Sequence, residues 1–137
     1  MTSTPISDDI RAFLREHIET YEELQVLLLL HNETLSPWTA DLLGERLGIA
    51  GDALSEPLGA LQNRHLVESS TVGAEERYQL SAEVAGSELL GRLATLYASH
   101  TIGIIKVMNS NSIDRIRTAA LRSFADAFLF RKDGKNG

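Results

Sequence analysis

Four histidines, nineteen carboxylates and many serines are the groups in this 137-residue chain with the chemistry to hold a metal or attack a substrate. Their spacing does not assemble either function. His17, His31, His65 and His100 lie far apart, and there is no H-E-x-x-H pair to place two imidazoles on one helical face. His31 and Glu33 are two residues apart, a step that splays side chains on a helix. Cysteine is absent, which excludes disulfides and thiolate sites. No G-x-S-x-G, phosphate-binding loop or dinucleotide fingerprint occurs, and no nucleophile is paired with a base. The expectation is a protein that is not an enzyme, with no metal and no cofactor.

The elements that would position other chemistry are easier to read. The net charge of −6 is unevenly spread. Residues 1–36 carry 2 Lys/Arg against 7 Asp/Glu, residues 37–82 carry 3 against 7, and residues 83–137 carry 8 against 5. The length fits a single domain, 1–137, with 1–6 and 132–137 expected to be flexible. Ser7 is placed to cap a helix running to about His17, with Ile10, Phe13, Leu14 and Ile18 on one face. Thr20 and Glu23 form a capping box for a helix that is apolar nearly all round from Leu24 to Leu30, as in a helix buried on several sides. Ser36 and Pro37 mark the next start, with Trp38 as a packing anchor, and Gly48 the next stop. LVESSTV and ERYQL read as a hairpin turning at Gly73 and Ala74.

From about Glu83 to Met108 two apolar lines keep helical spacing, Leu89, Leu93, Leu96 and Leu90, Ala94, Tyr97, Ile104, Met108. NSNS (109–112) is expected to break this helix, and Ser112 to cap a last one carrying Ile113, Ile116, Ala120, Phe124 and Phe128. The longest apolar run, Val26 to Leu30, is far too short to span a bilayer, and MTSTPISDD lacks the pattern of a signal peptide. The expected location is the cytoplasm, with no membrane contact.

TADLLGERLGIAGDALSEPLGALQNRHLVESS resembles the winged helix-turn-helix of bacterial transcription regulators. A small-x-x-L-x-x-x-L-G-I turn is followed by Leu54, Leu58 and Leu61, then by Leu66 and Val67 opening a wing, over about residues 37–80. Ala40 would let the two helices approach. The order of helices, winged core and two C-terminal helices is similar to the MarR type. The resemblance implies a mainly α fold with a small β-hairpin wing: a winged-helix core at 20–82 and C-terminal dimerisation helices at 83–131. It also implies a homodimer that presents two reading heads to duplex DNA. The residues placed to contact DNA are Ser55, Gln62, Asn63 and Arg64 on the reading helix and Arg77 on the wing. Those placed for dimerisation are Leu89, Leu93, Leu96, Tyr97, His100, Ile104, Phe124 and Phe128.

The reading surface has an unusual charge. With Leu54, Leu58 and Leu61 inward, steps of about 100° put Asp52, Glu56, Gly59 and Asn63 outward. Glu75 and Glu76 continue the acidic character at the wing tip. Pro57 fits only if the helix is short and Pro57 lies in its first turn. The alternative is therefore a degenerate winged helix that binds a protein partner through Asp52, Glu56, Glu75 and Glu76, without DNA. Arg115, Arg117, Arg122, Arg131, Lys132 and Lys135 form either a patch for nucleic acid or an acidic partner, or a solvated face balancing the acidic front. His100 reads as a hydrogen-bonded interface residue or as a pH- or effector-sensitive switch.

Overall fold

The computed structural model describes the backbone of residues 6–34 and 37–136, with side chains as far as residue 127. Ser36 and the side chains of Phe128, Arg131, Lys132 and Lys135 lie outside the described residues. The order is α1 (Asp8–His17), α2 (Tyr21–Asn32), α3 (Ala40–Leu47), a 3-10 turn (Gly51–Leu54), α4 (Ser55–Asn63), β1 (Val67–Val72), β2 (Glu75–Leu80), a short α5 (Ala82–Ala85), α6 (Glu88–Ser99) and α7 (Thr101–Asn136).

Ser7 stands at the cap of α1, but its hydroxyl bonds the Asp9 carboxylate rather than a free helix N–H. Ile6, at the end of the expected flexible lead, is buried at 5 % exposure. The capping box of α2 forms: Glu23 N donates to Thr20 Oγ1 at 3.2 Å, and Glu23 Oε1 accepts from Glu19 N at 2.8 Å. The returning bond reaches one residue further back than the usual box. Leu24 and Val26 through Leu30 are buried, so α2 is the central post of the core.

The next helix starts later than the sequence suggests. Thr39, not Ser36, is the cap of α3, accepting from Leu42 N at 3.2 Å, and Pro37 lies outside the helix. Gly48 closes α3 with a φ of +71°, where glycine has no Cβ to clash. A close approach in the turn falls at Gly44, and Ala40 packs partly buried against the core. A Cβ on Gly44 would stand 2.5 Å from the carbonyl oxygen of Ile49. Leu43, Leu54, Leu58 and Leu61 close the core between α3 and α4. Pro57 falls in the first turn of α4, where backbone N–H groups have no intrahelical acceptor in any case.

The end of α4 is a Schellman motif, with Leu66 N donating to Leu61 O and His65 N to Gln62 O, both at 3.0 Å. The left-handed position falls on His65, at φ +62°. β1 and β2 then pair antiparallel, from Val67 with Leu80 to Val72 with Glu75, around the Gly73–Ala74 turn. Trp38 is buried between them and α2: its indole N–H donates to Glu33 O at 2.8 Å, and its carbonyl accepts from Tyr78 N at 2.7 Å.

The C-terminal third differs from expectation in where it breaks. Ser87 caps α6, accepting from Leu90 N at 3.2 Å, so the helix expected from Glu83 begins only at Glu88. It then ends at His100, whose φ and ψ of −133° and 49° are not helical. The Ser99 hydroxyl contacts the Thr95 and Leu96 carbonyls and His100 Nδ1, which supports the kink. NSNS does not interrupt anything. α7 runs through it to Asn136, taking in most of the expected flexible tail. Asparagine and serine are only weak helix breakers, and the packing of Ile104, Val107 and Met108 on the body carries the helix into this stretch.

Beyond Met108, α7 is amphipathic in reverse. The side that continues the buried line carries Asn111, Arg115, Thr118 and Arg122, with Asp114 and Leu121 at its edge, whereas Ile113 and Ile116 face solvent on the other side. Residues 116–127 are all exposed.

Candidate recognition surface

The 3-10 turn, α4 and the hairpin form one surface. Asp52, Glu56, Glu75 and Glu76 are all exposed on it, as are the segment's other carboxylates, Asp41, Glu45 and Glu68. Ser55 is exposed and donates to Asp52 O at 3.0 Å. Asn63 is exposed. Gln62 reaches back, its amide donating to Ser69 Oγ at 3.1 Å and tying α4 to β1.

The cations are occupied. Arg46 makes a two-pronged pair with Glu33. Arg77 Nε lies 3.1 Å from Glu75 Oε1 on the wing. Arg64 points away from the surface towards the α1–α2 turn, donating to His17 O at 2.7 Å and to Glu23 Oε1 and Glu19 Oε1, both at 2.6 Å. Its side chain is only 23 % exposed. All three arginines of residues 37–82 thus face carboxylates, while all seven carboxylates of the same segment are open to solvent. A surface so arranged carries a negative potential that repels phosphate at long range.

The residues expected at a dimer contact divide. Leu93 and Ile104 are fully buried within the single chain and fill its core. Leu89, Leu96 and Tyr97 are half-buried. The Tyr97 hydroxyl meets that of Tyr21 at 2.6 Å, and burial followed by this bond pushes the Tyr97 phenol up to about 12. His100 is exposed, and Phe124 is 72 % exposed. Ile102, Ile113, Ile116 and Leu121 are the exposed apolar residues of α7 that the sequence reading did not assign to a contact. Ile102 and Ile113 lie within about 20° of each other around α7 and Ile116 within about 60° of Ile113, a phase that an expected break at NSNS does not connect.

Arg115, expected in a basic patch or a solvated face, is bound by the α1–α2 turn. Its Nη2 donates to Glu19 O at 2.9 Å, and its Nε lies 4.0 Å from Glu19 Oε2, so Glu19 joins α7 to Arg64 at the end of α4. Among the described residues no group of three His, Asp or Glu side chains is placed to hold a metal, and no helix is long and apolar enough to cross a membrane.

No protein-family model and no curated protein matches the chain. Solved structures do. The transcriptional regulator HlyU from Vibrio vulnificus CMCP6 is 25 % identical with a TM-score of 0.50, covering 64 % of this chain and 83 % of that one. HlyU from Vibrio cholerae N16961 is 24 % identical with a TM-score of 0.53, covering 69 % and 99 %. Lactococcus lactis ZitR, as a C30AH42A mutant in apo form, is 18 % identical with a TM-score of 0.52, covering 92 % and 99 %. With its helical body, its α3–α4 turn and its two-stranded wing, the chain has the winged helix-turn-helix fold.

Proposed function

We propose that this protein is a winged-helix transcription regulator that acts as a homodimer on duplex DNA. The observation that carries it is the pairing of an exposed helix-turn-helix and wing with a projecting α7 whose solvent side is apolar at Ile102, Ile113 and Ile116. An apolar stripe on the outer side of a helix is stabilised by burial against an equivalent surface, and a twofold pair of α7 helices supplies one. Two such subunits hold two reading heads at a fixed spacing, the arrangement that duplex half-sites require. Ser55 and Asn63 are the open polar groups of α4 for this contact, with Arg77 on the wing.

A second reading is favoured by the charge. With Arg46, Arg64 and Arg77 held by carboxylates, Asp52, Glu56, Glu75 and Glu76 form an acidic face suited to a basic protein partner. Fluorescence anisotropy of a labelled mixed-sequence duplex, titrated at low and then higher salt, separates the two. Binding that weakens steeply with salt supports DNA as the target. No binding at low salt rejects it and leaves the acidic face as the working surface.

A further inference from the structure

The polar side of α7 opposes the C-terminal end of α1 across a cleft of about 380 Å³. Arg15 of α1 and Asn111, Asp114, Arg115, Thr118 and Arg122 of α7 line it. Two nitrogens here are buried with no hydrogen-bond partner among the described residues: Asn111 Nδ2 and Arg115 Nη1. A buried donor left unpaired is costly, and both of these are donors. The charge is also one-sided, three guanidinium groups against the single carboxylate of Asp114. Arg15 has only a loose contact to Glu16, 3.8 Å apart with both side chains mostly exposed. Arg115 is held at one edge by Glu19, yet its side chain keeps 31 % exposure.

We propose that this cleft binds a small-molecule phosphate. Forked guanidinium donors from two helices, an amide N–H and the Thr118 hydroxyl match the several acceptor oxygens of that group. The two unpaired donors belong to residues that line the cleft, Asn111 and Arg115. An anion at Arg115 Nη1 shares the guanidinium with Glu19, which holds Nη2 through its backbone oxygen and lies 4.0 Å from Nε, and Glu19 is the carboxylate that also holds Arg64. Occupancy is therefore transmitted to the end of α4. This inference stands independently of whether α4 meets DNA or protein.

The test is a titration of the isotopically labelled full chain with inorganic phosphate, followed by backbone amide shifts, against sodium chloride at equal ionic strength. Saturable shifts are expected at Asn111, Arg115 and Thr118, with a matching response at Arg64 and His65. Arg122→Ala and Asn111→Leu, each with an unchanged circular dichroism spectrum, are expected to weaken binding by about tenfold. Three results overturn the site: shifts that match the chloride control, phosphate binding unchanged in both variants, or displacement of phosphate by a short duplex, which would make the anion a DNA backbone. Saturable shifts confined to α7, silent at Arg64 and His65, overturn the transmission to α4.

Discussion

Arg64 Nη1 lies 2.6 Å from Oε1 of Glu23, a carboxylate whose side chain is only 5 % exposed. The same oxygen caps α2 through Glu19 N, so one buried carboxylate joins the end of α4 to the start of α2. Arg64→Ala leaves that charge without its counterion. A loss of roughly 2–3 kcal/mol is expected, at the low side for a buried pair because Arg64 keeps partial solvent contact. Glu23→Gln, which keeps an acceptor for the cap, should cost less. Urea unfolding of both variants checks this, and a loss below about 0.5 kcal/mol in Arg64→Ala would show that the pair contributes little.

His65 occupies the left-handed position of a Schellman motif, where a side chain is penalised. His65→Gly is expected to raise stability by about 0.5–1 kcal/mol, the relief of Cβ strain exceeding the added freedom of the unfolded chain. Thermal unfolding reads the sign directly. A lower midpoint would mean that the imidazole makes a contact outweighing the strain.

Gly44 behaves in the opposite way. Its missing Cβ would lie 2.5 Å from Ile49 O, a backbone atom that cannot rotate aside. Gly44→Ala should therefore cost about 2–3 kcal/mol by forcing α3 away from the turn. Equal stability of the variant and the parent in urea would refute the close approach.

Asp9 is held at about 2, well below its ordinary 3.8, first by the Arg92 guanidinium and then by the Ser7 hydroxyl. A depressed carboxylate contributes stability that is complete above the ordinary value and lost as pH falls through the folded one. Asp9→Asn is accordingly expected to melt below the parent at pH 6. The two curves should converge between pH 4 and 2, since the link between α1 and α6 no longer depends on charge there. A gap that persists unchanged to pH 2 contradicts this assignment.

Ile116 is 68 % exposed on the outer side of α7. If a second α7 covers it, Ile116→Glu places a charge in an apolar contact and should shift the solution mass towards the monomer by light scattering. Asp126→Lys, exposed about 140° round the helix from Ile113, serves as a control for altered charge alone. A parent protein that is monomeric at every concentration rejects the dimer.

Much of the fold is legible because leucine spacing is a strong signal. Leu43, Leu54, Leu58 and Leu61 can share a core only if α3 and α4 turn on each other, and Val67 pairs with Leu80 in the expected hairpin. The breaks are harder to read. Ser99 and His100 end a helix through local side-chain bonds that composition does not reveal, while NSNS is carried along by Ile104, Val107 and Met108 packing just before it. The candidate surface is less legible still. Arg64 follows Asn63 in sequence but lies at the cap of α4, where the chain leaves the helical phase, so its side chain turns inward to Glu19 and Glu23. A single residue past the exposed Asn63 thus decides that this arginine meets its own fold.

The unbroken course of α7 fixes a rotational gearing. Its 36 residues span about 54 Å without a joint, so the cleft beside Arg15 and the stripe through Ile113 and Ile116 are two sides of one rod. Neither side can twist without the other. Inserting a single residue after Asn111 would turn Ile113 and Ile116 by about 100° relative to Ile104 and Met108 on the body, whereas four would return them to within about 40°. The helix thus sets an angular phase between whatever occupies its inner side and whatever covers its outer one, and that phase, more than its length, is what a regulator built on this rod would have to preserve.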